Sequence, residues 1–330
     1  HVAVRKPWLL LIPLLLDLVL WAGPKVSVVP LFDEEAGLTV EALSAGAGVG
    51  AAEAAPPPSL ADPSRLAAME QLDLLRATIT DYNLLSLLAL NRLLVPSVAG
   101  LRAIDPAADR VVSVSTFGQG VGMALLLVGL GLFVACAYWA LLAQQVRRER
   151  NDLAELGRQV PVFWLRMIAV VGILIAVLLG LGAVGMFVAL AAQVFALLGA
   201  VALTQVVMGL LMYAMWLLVL WITFYLFFVP QAVTLAEAPP LTALKQSFII
   251  VRTSFWRALV LFVLVNIIST GLGYLWALLM TNMVGTVAAI VANAFVGTGL
   301  VAAMFIFFRD RIIALHHAQL QLRATGAGPA

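Results

Sequence analysis

Across 330 residues, 63% of side chains are hydrophobic and 11% are charged, with a mean hydropathy of +1.07. A soluble domain of this composition would leave far too much apolar surface in water, so a polytopic membrane protein is the class that fits. The single cysteine, Cys136, lies in an apolar run, which excludes a disulfide framework and a cysteine-based metal site.

A bilayer takes about 20 apolar residues per helix. The first candidate span is 4–23. Arg5 and Lys6 before an apolar run resemble a signal peptide, but 20–25 lacks a small-x-small site and holds bulky Trp21 and Pro24, so a retained helix is expected. This span contains one carboxylate, Asp17, eight residues before Lys25 and hence about 12 Å below the outer end. An isolated charge there costs several kcal/mol, so Asp17 should face protein, water or a partner. It is the leading intramembrane site candidate, as a structural acid or as a proton, ion or headgroup contact.

Residues 24–117 form the extracytoplasmic segment. Within it, 44–61 reads as a flexible linker ending in prolines, carrying "SAGAGVGAAEAAPPPS" from Ser44 to Ser59. An amphipathic helix is expected over 62–95. Asp62 suits its N-cap and Pro63 its first turn, and Leu66, Met69, Leu72, Leu75, Ile79 and Tyr82 make one apolar stripe. From Leu84 to Val95 the apolar face widens, and Pro96 ends it. The helix is expected to pack on the outer ends of the bundle, with a place in the outer membrane interface as the second reading. "RVVSVST", Arg110 to Thr116, reads as a short extended piece before the second span.

The remaining membrane domain, 118–308, holds candidate spans at about 118–143, 161–187, 205–230, 255–280 and 286–308. No charge falls between Arg166 and Glu237. Arg147, Arg148, Arg150, Arg158 and Arg166 flank one end of this stretch, and Lys245, Arg252 and Arg257 flank the other. The positive-inside rule puts both groups on the cytoplasmic side, so the crossings between them are even in number. Two are expected, with an outer re-entrant or interfacial turn over 188–204. Six spans then leave both termini cytoplasmic in an inner membrane. On that assignment the inner segments carry 13 basic and 5 acidic groups, and the outer segment 6 and 11. A basic cytoplasmic tail fills 309–330.

A cytoplasmic elbow lies between Pro230 and the fifth span. Pro239 and Pro240 break the chain, and a helix follows with Leu241, Leu244, Phe248, Val251 and Phe255 on one face. Lys245 and Arg252 flank that face and, with Arg147, Arg148 and Arg150, are the expected contacts to anionic lipid headgroups. Trp256 stands at interface depth.

This arrangement resembles a group of bacterial six-span membrane proteins, including the membrane domain attached to some glycerophosphodiester phosphodiesterases and the YciC-like families of unknown function. The likeness covers about 147–323. It rests on the span ending at Pro230, the elbow with Ala243 and Ser247, the segment from Arg252 to Trp256, two closing spans and a basic tail. It implies architecture. The phosphodiesterase chemistry belongs to a separate soluble domain that this chain lacks.

Signatures of chemistry are few. His1, His316 and His317 lie outside the spans, which disfavours histidine-ligated haem in the bilayer. There is no HExxH, GxSxG or Walker lysine. No catalytic residue, metal, cofactor or nucleic-acid partner is expected. Gln193, Gln205, Asn266, Asn282 and Asn293 are the other intramembrane polar groups, and Asn266 and Asn293 are expected to hydrogen-bond between the last two spans. Gly118 with Gly122, and Gly180, Gly182 and Gly185, read as close helix packing. The leading expectation is a non-enzymatic scaffold, lipid-interacting or accessory subunit with lipids and a membrane protein as partners. The alternative is a small transporter using Asp17.

Overall fold

A computed structural model describes residues 7–27, 30, 83–89, 95–98, 111–148 and 152–324. The linker 44–61, most of the helix expected over 62–95, and Arg5, Lys6 and Arg150 lie outside the described residues, as does the side chain of Arg148; in the described part of that expected helix, Leu84–Ala89 is 3-10 helix and not α-helix.

The described chain is helical apart from two three-residue strands. A 3-10 turn, Pro7–Leu10, leads into α1, Leu11–Ala22. After β1, Lys25–Ser27, come a 3-10 helix, Leu84–Ala89, and β2, Val111–Ser113. Then follow α2 (Phe117–Arg148), α3 (Leu153–Leu197), α4 (Val201–Tyr225), α5 (Val229–Thr234), α6 (Pro240–Thr253), α7 (Phe255–Leu279) and α8 (Met283–Ala324). Among the described residues, five helices are long and apolar enough to cross a membrane: α2, α3, α4 continued through α5, α7 and α8. The protein is thus an all-α, multi-pass membrane protein.

Some bounds differ from the sequence expectation. The first helical stretch, Trp8–Ala22, is shorter than a full span. Pro13 in its first turn lacks the N–H that would bond to Leu9, and this favours the 3-10 start. α3 is continuous for 45 residues, about 67 Å, and the chain reverses in a tight turn at Leu198–Ala200 with Gly199 at φ 88°. The looser turn expected over 188–204 is replaced by helix. α8 runs on to Ala324, so the tail from 309 continues the last helix.

The chain divides into two compact units. The larger comprises His1–Leu10, Leu132–Tyr274 and Phe295–Ala330. Its core joins Ala135, Cys136, Tyr138, Trp139 and Leu142 of α2 to Phe163 of α3, Phe228 and Ala232 beside and within α5, and Phe305 and Phe308 of α8. Tyr138 donates to Thr298 Oγ1 at 3.1 Å inside it. Phe224, Phe227, Phe255 and Phe262 interlock edge to face around the α4–α5 junction. Burial is uneven among the helices. More than half of the most apolar stretch of α2 is buried (56%), and none of that of α4. In lipid such an apolar face loses nothing by exposure, since acyl chains solvate it.

The smaller unit is Leu11–Gly131 with Leu275–Ala294. Here β1 and β2 pair in parallel, Lys25 with Val111 and Ser27 with Ser113. The extended piece expected near Arg110 is therefore present, with a partner strand that its sequence did not reveal. Val26, Leu84, Val114 and Leu127 form the local core. At the α7–α8 turn, Asn282 Oδ1 accepts from Gly285 N–H at 2.7 Å and caps α8.

Candidate functional site

Within the larger unit, the polar residues gather where α5 ends. Arg147, in the last turn of α2, donates to the Glu237 carboxylate and to the Thr234 carbonyl. Arg166 of α3 donates to the Glu237 carbonyl, and Arg309 of α8 donates to the Val146 carbonyl at 3.2 Å. Arg147 and Arg309 thus occupy carbonyls in the last turns of α5 and α2, where the helix dipole is negative and the last C=O groups lack intrahelical partners, while Arg166 holds a carbonyl of the turn after α5. Glu237 adopts φ 51°, a left-handed conformation that a non-glycine residue reaches only under outside constraint. The ion pair and the carbonyl bond from Arg166 supply that constraint.

Arg147 is a clamp within the protein, its side chain 26% exposed and paired with Glu237, a partner the sequence reading does not foresee. Sequence spacing could not reveal this, because Glu237 lies 90 residues away.

A helix, α6, stands where the elbow helix is expected, with a different face buried. Ala243, Ser247, Ile250 and Val251 are buried, while Leu241 and Phe248 point outward. Ser247 Oγ donates to the Tyr225 carbonyl at 2.7 Å and accepts from Phe228 N–H at 3.2 Å, closing the gap between α4 and α5. A small hydroxyl is needed there, and this is why the bulkier Leu241 and Phe248 are excluded from the packed side. Leu241, Lys245, Phe248, Ile249 and Arg252 all lie on the opposite, exposed side. At 100° per residue they fall within a wedge about 100° wide. Trp256, 74% exposed at the start of α7, follows them.

In the smaller unit Asp17 is 1% exposed. Its carboxylate accepts from Ser97 Oγ and from Val98 N–H, at 3.1 Å to Oδ1 and 3.2 Å to Oδ2. Asn83 Oδ1 accepts from Val26 N–H and Leu85 N–H, each at 3.0 Å. Asp17 is thus buried and hydrogen-bonded within the chain.

The other polar candidates are dispersed. Asn266 donates to Phe262 of its own helix at 2.8 Å, and Asn293 Nδ2 is buried without a partner, so neither amide bridges the last two spans. Gln193 and Gln205 are exposed near the α3–α4 turn. Among the described residues no atom lies within 4 Å of where a Cβ would sit on Gly118, Gly122, Gly180 or Gly182, so no close packing is seen at them there. It is seen at Gly131, where a Cβ would lie 2.5 Å from the Leu88 carbonyl oxygen. Among the described residues no three His, Cys, Asp or Glu side chains gather as a metal site requires. No protein-family model matches the chain, and neither a curated protein nor a solved structure matches it significantly.

Proposed function

We propose that the chain is a non-enzymatic membrane scaffold or accessory subunit whose elbow helix α6 engages anionic lipid headgroups on the cytoplasmic face of an inner membrane. The observation that carries this reading is the outward side of α6. Lys245 and Arg252 interleave there with Leu241, Phe248 and Ile249, all exposed. A purely solvated helix would not present those three apolar side chains beside its cations, whereas a lipid interface accepts both. Trp256 at the α6–α7 corner adds an aromatic suited to interface depth.

The topology proposed with it has six spans and both termini cytoplasmic. Arg166 to Gln193 is about 40 Å of helix, matching a bilayer with its headgroups at 40–45 Å. The two arms α3 and α4 therefore suit one outward and one return crossing. The resemblance of about 147–323 to six-span families agrees with this and adds no chemistry. The transporter alternative needs Asp17 open to a permeating species, and its carboxylate is instead occupied by Ser97 and Val98.

Native mass spectrometry of protein from nanodiscs of mixed phosphatidylglycerol and phosphatidylcholine tests the reading. The wild type should retain phosphatidylglycerol preferentially, and Lys245→Gln with Arg252→Gln should abolish the preference without unfolding the protein. Equal retention of the two lipids by the wild type would refute it.

A further inference from the structure

The outer segment holds two described pieces, 83–89 and 95–98, that lie against residues from the middle of helices. Gly131 sits at the midpoint of the charge-free stretch 117–146 of α2, about 21 Å from either end. Wherever α2 settles in a hydrocarbon layer about 30 Å thick, its midpoint is inside. The backbone carbonyls of Leu87 and Leu88 reach that point, 3.0 and 2.5 Å from where a Gly131 Cβ would stand. Leu84 packs on Leu127, one turn nearer the β1–β2 end. Val95, Ser97 and Val98 are buried beside Asp17, which lies within α1.

We propose that these two pieces lie inside the apolar layer, reached from the side of β1 and β2, with Asp17 as the positioning residue for 95–98. The inference rests on α2 crossing the membrane. A short 3-10 turn or extended backbone leaves polar groups without intrahelical partners and is tolerated at membrane depth only where protein satisfies them. The chain supplies such partners at both described pieces. Asn83 Oδ1 takes Val26 N–H and Leu85 N–H at the entry. Asp17 takes Val98 N–H and the Ser97 hydroxyl deeper in. Gly131 offers the bare surface that lets a carbonyl approach a helix axis. An acid in an otherwise apolar first helix is explained on this basis. It acts as a receptor for backbone and hydroxyl donors that lipid cannot solvate.

Spin labels placed in a Cys136→Ala background, in vesicles, measure depth directly. Leu87→Cys is half-buried and reports the segment, Val112→Cys is an exposed strand position, and Val219→Cys is an exposed position on α4. The proposal expects the label at 87 to collide with oxygen and exclude a water-soluble nickel chelate, as at 219, while 112 does the reverse. A label at 87 open to nickel like 112, with 219 still excluding it, overturns the placement inside the apolar layer alone. Nickel access at 219 overturns the membrane crossing as well. Should Leu87→Cys fail to fold, a lipid-confined carbene probe on the unsubstituted chain decides. Adducts within 84–89 support the proposal, and their absence while α4 carries adducts overturns it.

Discussion

Two glycines of α2, nine residues apart, should respond differently to the same substitution. At Gly131 an added methyl would stand 2.5 Å from the Leu88 carbonyl oxygen and 2.9 Å from its carbon, both backbone atoms. At Gly122 no described atom lies within 4 Å of an added methyl. Each change to alanine gains the same helix preference, about 1 kcal/mol. That gain cancels in the comparison and leaves the steric cost at 131, about 1–3 kcal/mol for forcing a methyl into a packed contact. Gly122→Ala should therefore match or exceed the wild type in stability, and Gly131→Ala should fall below Gly122→Ala by that amount. Cys136, the sole cysteine and fully buried, makes the assay simple. A thiol-reactive fluorogenic dye stays dark until unfolding exposes it, so thermal ramps in detergent give the midpoints without an added probe. Equal midpoints for the two variants would refute the contact between Gly131 and the 84–89 piece.

The same ramp separates two further contributions. Glu237→Gly and Glu237→Ala both remove the ion pair with Arg147, but only alanine keeps a Cβ at φ 51°, so the glycine variant should be the more stable of the two by about 1 kcal/mol. An alanine variant as stable as the glycine one would show that this backbone is not strained. Ser247→Ala leaves the buried Phe228 N–H and the Tyr225 carbonyl without their side-chain partner and should cost about 1–3 kcal/mol. Ser254→Ala, at a half-buried position after α6, should change stability by less than about 0.5 kcal/mol.

Much of the helix inventory was legible because a membrane span announces itself by length and hydropathy, both summed over many residues. The five long helices fall where the apolar runs predict them. Boundaries were harder. α3 outruns its expected end by ten residues, since 188–197 holds neither glycine nor proline and nothing in it opposes helix. The chain turns at Gly199 and not earlier, because only there does a residue without Cβ permit φ 88° at no cost. The strand pair escaped notice for another reason. β1 and β2 are three residues each and lie far apart in sequence, and so short a run carries no periodicity of its own.

Polar side chains were readable as candidates and unreadable as partners. An arginine before a span satisfies the positive-inside rule whether it meets a phosphate or a carboxylate. Arg147 meets Glu237, whereas Lys245 and Arg252 stay exposed. What separates them is which side of a helix packs, and on α6 that is decided by the gap between α4 and α5 that only Ser247 fills. Ala243 and Ser247 therefore outrank Leu241 and Phe248 for the inner face, against a ranking by hydropathy. In water, burial follows apolarity. In a membrane helices associate through small residues and hydrogen bonds, so apolarity loses its power to say which side faces in. Asp17 follows the same logic. Its cost in lipid announced that it must have a partner. The partners, Ser97 and Val98, stand 80 and 81 residues away, just past Pro96, where the helical periodicity has ended and nothing local marks a partner.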